Sequence, residues 1–163
     1  MDEQERKFNE MSDWIVRIVD MFNASHEQGV DFGTGDLLFP AEIHTIEAVE
    51  EGRGTTVTAL AEHFDVSKPT ISERIKKLEK RGLLSKTKVA GTRDQVITLT
   101  PKGRMAFEGH RTHHASMFKA FAAQFGPDFN AAMEEMIRVF KQYYKASRAV
   151  CRNAEREAQH GPK

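Results

Sequence analysis

The chain has 163 residues, of which 39% are hydrophobic, and this is enough to fill the core of one ordinary globular domain. Its mean hydropathy is −0.55, and no segment approaches the ~18 to 20 consecutive apolar residues of a membrane span, so a membrane-embedded protein is excluded. The 24 basic and 24 acidic residues cancel, and bulk charge therefore gives no indication of a polyanionic partner.

The N-terminal residues and the cysteine content predict a cytoplasmic protein. Residues 1–10 are strongly charged and lack the apolar run of a secretory signal. The single cysteine, Cys151, cannot form an intramolecular disulfide, and a free thiol is typical of a reducing compartment.

The first part of the chain predicts two helices separated by a loop. Residues 2–24 have apolar side chains at spacings of three and four, which is the period of an amphipathic helix. Residues 25–38 contain three glycines and are predicted to form a loop. Pro40 suits the first turn of a second helix, and Gly52 and Gly54 end it.

The next segment predicts a helix-turn-helix. Residues 56–64 form a short helix, and a tight connection at residues 65–66 leads directly to a second one. Ser67 is a good N-cap, Pro69 is tolerated in the first turn, and Gly82 is placed to end the helix. Three apolar residues recur on the inner face of this second helix, at Ile71, Ile75 and Leu78.

The remainder predicts a β-hairpin followed by two long helices. Residues 85–88 and 95–100 are short and β-prone, with a basic tip between them. Pro101 begins the next helix, and residues 128–157 form the last one. The predicted fold class is therefore mostly α with a small β-hairpin wing, which is a winged helix-turn-helix.

Charge is segregated along the chain. The segment 67–104 has 11 basic and 3 acidic residues, a net charge of +8, and the remaining residues carry −8. Such segregation favours binding of a polyanion by this segment. A surface that only contacts water does not require basic and acidic residues to be separated along the chain.

The second helix of the motif has the features of a DNA recognition helix, with a buried inner face and a polar, basic outer face. Its N-terminus, where hydroxyls and free backbone N–H groups favour a phosphate, is expected to anchor the DNA backbone. Residues further along reach base edges or flanking phosphates, and the sequence leaves open which of them reads a base. An arginine at the hairpin tip suits the adjacent minor groove. The candidate DNA-binding residues are Ser67, Lys68, Thr70, Glu73, Arg74, Lys76, Lys77 and Arg93.

The run ALAEHFDVSKPTISERIKKLEKRGLL, followed by VITLTPKGR, resembles the winged helix-turn-helix of MarR-type transcriptional regulators. The resemblance covers nearly the whole chain and implies a single domain, 1–163. Within it the resemblance implies an N-terminal dimerisation helix and loop (1–38), the winged motif (39–104) and C-terminal dimerisation helices (105–163). It implies a DNA-binding regulator, favouring a repressor, that acts as a homodimer on a pseudo-palindromic operator. One departure is Gly91, which stands where the wing of that family often has an aspartate.

The apolar residues near both ends of the chain predict a homodimer independently, because a small winged domain cannot cover them all. They are Phe8, Met11, Trp14 and Phe22 in the first helix, and Phe129, Met133, Met136, Phe140 and Tyr144 in the last.

Several histidines form a candidate metal site. His110 and His114 lie four residues apart on one predicted helix, so both imidazoles can point to one place. With His44 and a carboxylate they would make a four-ligand zinc set. A zinc-responsive branch of the MarR family is similar at these positions, and the resemblance implies His44, His110 and His114 as ligands, with Glu27 supplying the carboxylate. His26 is the alternative to Glu27, because it aligns without gaps.

Four other functions are alternatives to a zinc-responsive regulator. A MarR-type protein can respond instead to a phenolic or anionic organic ligand in the dimer crevice, and a winged helix can serve as a protein-interaction module. An enzyme is not predicted: His26 and Glu27 begin an HExxH pattern that Val30 breaks. Cys151 is interpreted as an exposed bystander rather than a redox switch.

Overall fold

The computed structural model describes residues 1–26, 29–88 and 95–160, and at 25–26 and 155–160 it describes the backbone alone. The chain divides into two compact units, Met1–His113 and His114–Lys163. The elements follow in the order α1 (Glu3–His26), β1 (Val30–Asp31), β2 (Leu37–Leu38), α2 (Pro40–Glu50), α3 (Val57–Phe64), α4 (Lys68–Lys80), β3 (Leu84–Lys88), β4 (Gln95–Leu99), α5 (Pro101–Phe125), a 3-10 turn (Gly126–Asp128) and α6 (Phe129–His160).

The segment between α1 and α2 differs from the predicted loop. It contains a small antiparallel hairpin in which Val30 pairs with Leu38 and Asp31 with Leu37. One Asp31 carboxylate oxygen accepts hydrogen bonds from the backbone N–H groups of three consecutive residues in the turn, Gly33, Thr34 and Gly35, at 2.9 to 3.1 Å. A strand of two residues shows no period in the sequence, and this turn was therefore missed.

The predicted helix-turn-helix is confirmed. The Thr56 hydroxyl accepts a hydrogen bond from the N–H of Ala59 at 3.2 Å and begins α3. Asp65 adopts the left-handed conformation, with φ of 54°, and reverses the chain after α3. The Ser67 hydroxyl then accepts from the N–H of Thr70 at 3.3 Å, which makes it the N-cap of α4 as predicted.

The core of the first unit is formed by α2, α3, α4, the wing strands and the start of α5. Each aliphatic side chain fully buried here contributes roughly 1.5 to 3 kcal/mol to folding. The most deeply buried are Leu38, Ile46, Leu60, Ile71, Ile75, Leu78, Leu83 and Ile97. The three inner-face residues predicted for α4 are among them, so that helix is anchored along its length.

The wing is an antiparallel pair, β3 and β4, in register from Leu84 opposite Leu99 to Lys88 opposite Gln95. The backbone N–H of Ile97 also donates to the carbonyl of Thr55 at 2.8 Å, which ties β4 to the segment before α3. The predicted basic tip lies outside the described residues. Helix α5 begins close against the wing, because a Cβ at Gly103 would overlap the carbonyl oxygen of Leu83.

The second unit contains the rest of α5, the 3-10 turn and α6. Phe129 makes edge contacts with Phe118 and Phe125, with ring centroids 5.3 and 6.3 Å apart. Much of the apolar surface of α6 is exposed, including Ile137, Phe140 and Tyr144.

The division into units lies inside α5, beyond the boundary at residue 104 that was predicted between winged motif and C-terminal helices. Among the helices in the described ranges, none combines the length and apolar character needed to cross a membrane.

Candidate nucleic-acid interface and histidine cluster

Helix α4 presents a polar face to solvent above a buried face. Of the predicted DNA-binding residues, six are exposed here: Ser67, Lys68, Thr70, Glu73, Lys76 and Lys77. The Ser67 and Thr70 hydroxyls lie 2.7 Å apart, so both side chains and the N-terminal backbone N–H groups of α4 are together at one end. Hydroxyls and N–H groups at a helix N-terminus form a favourable setting for a phosphate.

Arg74 lies between the inner and outer faces of α4. It is half-buried, its Nη1 atom donates to the Thr45 hydroxyl of α2 at 3.2 Å, and its guanidinium lies over the Phe64 ring at 5.5 Å. Burial lowers the pKa of Arg74, and the Glu42 carboxylate opposes that effect. Arg74, a predicted DNA-binding residue, therefore points toward α2 and α3 in the structure.

Lys77 also has an internal partner. Its Nζ atom lies 2.7 Å from Glu42 Oε1, although the lysine side chain is 59% exposed and the glutamate side chain only 5%. The same ammonium lies 5.5 Å from the Phe39 ring centroid. A DNA contact by Lys77 remains a prediction. To contact DNA, its ammonium would have to leave the Glu42 carboxylate or be shared between that carboxylate and a phosphate.

Glu42 is the centre of an ion-pair network that the sequence analysis did not identify. It accepts hydrogen bonds from the Phe39 backbone N–H at 3.1 Å and from Arg81 at 3.0 Å, in addition to the Lys77 pair. Burial raises the pKa of Glu42, but the bonds from Lys77, Phe39 and Arg81 outweigh burial and hold that pKa below its ordinary value. Glu42 is therefore an ionised side chain that joins α2 to α4.

Asp36 extends the network to the start of α5. Its Oδ2 atom lies 2.7 Å from Lys102 Nζ and 3.8 Å from Arg81 Nε. The hydrogen bond from Lys102 is the main cause of an Asp36 pKa below its ordinary value. Arg81 additionally donates to the carbonyl of Leu37 at 2.7 Å, so one arginine connects the end of α4 to the β1–β2 hairpin and α2.

This network neutralises part of the +8 charge of the segment 67–104. Two further cations of that segment also have acidic partners: Lys86 pairs with Glu79 at 2.6 Å, and Arg104 pairs with Glu50. Asp36, Glu42 and Glu50 lie outside the segment and neutralise part of its charge, so the field at the surface is weaker than the sequence count suggests. Four lysines have exposed side chains and no ion pair within the described ranges: Lys68, Lys76, Lys80 and Lys88. The predicted minor-groove residue, Arg93, lies outside the described residues.

The structure brings together His44, His110 and His114, which are defined here as the histidine cluster. One ligand nitrogen from each imidazole lies within 4.8 Å of the others. The His44 and His110 rings are 5.2 Å apart between centroids, and His114 follows His110 by one turn of α5. His110 is buried, whereas His44 and His114 are exposed.

Helix α5 approaches the β1–β2 turn closely beside the cluster. A Cβ at Gly109 would overlap the Phe32 carbonyl oxygen, so only glycine allows this approach. The Phe32 ring then makes edge contacts with His110 at 5.2 Å and with His113 at 5.9 Å. His113 is thus a neighbour of the cluster rather than a member of the three-histidine set.

The donor set fits zinc. Ligands around a tetrahedral zinc at about 2.0 to 2.1 Å lie about 3.3 Å from one another, and three imidazoles with one further ligand are a known combination. The three histidines each place one ligand nitrogen within 4.8 Å of the others, which is close to that spacing. The predicted fourth ligand, Glu27, and the side chain of its alternative, His26, lie outside the described residues.

Comparison with known proteins supports the architecture. Residues 38–93 match the sequence profile of the MarR family. A curated relative, the uncharacterized HTH-type transcriptional regulator YhjH of Bacillus subtilis (strain 168), is 29% identical over 97 residues, which is 59% of this chain and 55% of that protein. The chain thus matches about half the length of this relative.

Solved structures share the fold over most of the chain. The Streptococcus pneumoniae FabT protein, solved in complex with DNA, has a TM-score of 0.69 at 20% identity and covers 87% of this chain and 98% of its own. The Staphylococcus aureus MarR protein, solved in complex with salicylate and kanamycin, has a TM-score of 0.67 at 19% identity and covers 88% of this chain and 94% of its own. At these identities the likeness establishes the fold, and the predicted winged helix-turn-helix is confirmed.

Proposed function

We propose that this chain, whose residues 38–93 match the MarR-family profile, is a DNA-binding transcriptional regulator, not an enzyme, acting in the cytoplasm as a homodimeric repressor. The observation that carries the proposal is that α4 has one buried apolar face and one exposed polar face. Its inner face is fully buried at Ile71, Ile75 and Leu78, and its outer face offers hydroxyls and lysines to a groove. An α-helix with these two faces fits the major groove of B-DNA.

The proposal of a dimer is based on the apolar side chains that are exposed in each of the two units. Phe8 and Trp14 of α1 are 60% and 58% exposed, and Phe140 and Tyr144 of α6 are 54% and 55% exposed. Apolar surface of this extent is typical of a protein interface. A twofold dimer would place two α4 helices at half-sites about 34 Å apart, which is one turn of DNA.

The effector proposed for this regulator is zinc, bound by the histidine cluster. Zinc would supply a cross-link between α2 and α5 through neutral imidazole ligands. The α2 helix that contributes His44 also contributes Glu42 and Thr45 to the contacts with α4. Zinc raises operator affinity only if it binds the protein conformation that fits DNA more tightly than the conformation that does not.

A phenolic or anionic organic ligand is the second candidate effector. A largely apolar groove of about 460 Å³ in the second unit is lined by Phe125, Ala132, Glu135, Met136, Val139 and Phe140. The salicylate in the Staphylococcus aureus MarR structure is an amphipathic aromatic acid, and its ring would suit such a lining.

Fluorescence anisotropy tests the function directly. The chelator-stripped protein is titrated onto a labelled duplex from upstream of its own gene, with no addition, with micromolar zinc, or with salicylate. Tighter binding with zinc alone supports the zinc proposal, and a change with salicylate alone supports the organic effector. Absence of binding in all three conditions, also to a randomised duplex pool, would overturn the DNA-binding function.

The lysines of α4 provide a matched pair of variants. Lys76→Ala removes an exposed cation from the outer face of α4, and the control Lys141→Ala removes an exposed cation from α6. Each lost phosphate contact lowers the slope of log affinity against log salt concentration by about 0.9. Only Lys76→Ala is expected to lower that slope.

A further inference from the structure

Glu73 occupies the centre of the outward face of α4. At about 100° per residue, its direction lies about 190° from the mean direction of the buried Ile71, Ile75 and Leu78. Its side chain is exposed, and Lys76 and Lys80 flank it on the same face. A carboxylate therefore stands at the position that a groove-bound α4 would bring nearest to the DNA.

The Glu73 carboxylate forms no ion pair with a cation among the described residues. Lys77, one turn further along and the natural i,i+4 partner, pairs instead with Glu42 at 2.7 Å. Arg74 is directed inward to Thr45 and Phe64. Among the described residues, no ion pair or hydrogen bond engages the Glu73 carboxylate.

A carboxylate at this position has a narrow choice of partners on DNA. Phosphates repel it, guanine and thymine present acceptors to the major groove where it would need a donor, and adenine places the acceptor N7 beside its N6 amino group. The exocyclic amino group of cytosine is the donor that glutamate and aspartate accept from in this groove.

We propose that Glu73 is a specificity-determining residue, which accepts a hydrogen bond from the N4 amino group of a cytosine in each half-site. The assignment rests on the proposed DNA-binding function and deepens it, because it names the base that the outer face of α4 selects. It also assigns a division of labour: hydroxyls and lysines of α4 hold phosphates and set affinity, while Glu73 discriminates among sequences.

Selection from a randomised duplex pool tests the assignment, with and without zinc. The full-length protein and its variants Glu73→Gln and Glu73→Ala are each used to select duplexes, and circular dichroism verifies that each is folded. Glutamine reads adenine through N6 and N7, so Glu73→Gln should change one selected position of each half-site from cytosine to adenine. Glu73→Ala should lose discrimination at that position alone, by about 5- to 150-fold, which corresponds to one good base contact.

The control variant is Glu62→Gln, which removes an equal charge from an exposed side chain of α3. Removing either charge should strengthen binding to all sequences, but only the Glu73 variants should change the selected base. Identical base preferences for the unmodified protein and both Glu73 variants would overturn the assignment and leave the proposed function intact. Selection of no sequence by the unmodified protein would overturn the proposed function together with the assignment.

Discussion

Glu42 on α2 and Arg81 at the end of α4 lie 39 residues apart in sequence, and Arg81 Nη1 lies 3.0 Å from Glu42 Oε2. The pair joins the helix that contributes His44 to the helix that faces DNA in the proposed function. With Lys77 on the other oxygen of the same carboxylate, the buried charge of Glu42 is satisfied from two turns of α4. Glu42 thus contributes two polar contacts between α2 and α4, beside the hydrogen bond from Arg74 to Thr45.

Replacing Glu42 should destabilise the fold in a pH-dependent way. Glu42→Gln keeps the shape but loses the charge, and we expect it to lower the free energy of unfolding by about 2 kcal/mol at neutral pH. The folded-state pKa of Glu42 is below its ordinary value of 4.5, so this stabilisation is present above pH 4.5 and is lost as the pH falls through the folded-state pKa.

Urea denaturation at pH 7 and at pH 3 measures this difference. The control Glu51→Gln breaks an exposed ion pair with Arg53, which is worth only about 0 to 1 kcal/mol. Equal losses for the two variants at pH 7 would contradict the role given to Glu42.

Zinc binding should depend on His114 and not on its neighbour His113. Both side chains are exposed, but only His114 belongs to the histidine cluster. His114→Ala removes a ligand, and we expect it to weaken zinc binding by more than about 100-fold, since loss of even an outer-shell partner costs about 10- to 100-fold. Isothermal titration calorimetry on chelator-stripped protein should show near-normal affinity for His113→Ala. Equal affinities for the two variants would rule out the histidine cluster as the site.

Charge on the apolar face of α6 should dissociate the proposed dimer. Phe140 and Lys141 are adjacent and exposed, but they lie on different sides of the helix. Phe140→Asp places a carboxylate in the apolar surface, and burying it unpaired is strongly unfavourable, so this variant should sediment as the 18.5 kDa monomer. Lys141→Asp should remain dimeric. Sedimentation velocity distinguishes the two, and a monomeric unmodified protein would contradict the dimer.

Substitution of Gly109 should separate α5 from the β1–β2 turn. A methyl group there would overlap the Phe32 carbonyl oxygen, and overpacking of this kind costs about 1 to 3 kcal/mol. We expect Gly109→Ala to lower the melting temperature and to weaken zinc binding, because Phe32 contacts His110. Glu108→Ala, at the exposed adjacent position on α5, is the control for both measurements. An unchanged melting temperature for Gly109→Ala would show that the turn moves aside without cost.

The helical elements could be predicted because their signals are local. Ser67 as N-cap, Pro69 in the first turn and the spacing of Ile71, Ile75 and Leu78 all lie within one helix, and the structure places each as expected. The pairing of His110 and His114 was accessible for a similar reason, since they are one turn apart, whereas His44 lies on another helix and was assigned from the family resemblance.

The ion-pair network could not be predicted in the same way. Glu42 and Arg81 come together only when α2 packs on α4, and nothing in the local pattern around either residue marks it as a partner. The same tertiary packing directs Arg74 toward Thr45, although its position along α4 alone suggested a DNA contact. The β1–β2 hairpin was missed because strands of two residues carry no period.

The hydrogen bond from Ile97 to the carbonyl of Thr55 also bears on self-association. An isolated two-stranded hairpin is at best marginally stable, and an open strand edge is a template for pairing with another chain. Thr55 occupies the outer edge of β4 at the middle of its five residues. The wing is thereby attached to the segment before α3, and the middle of its open edge is occupied, so another chain cannot pair with the edge at this point.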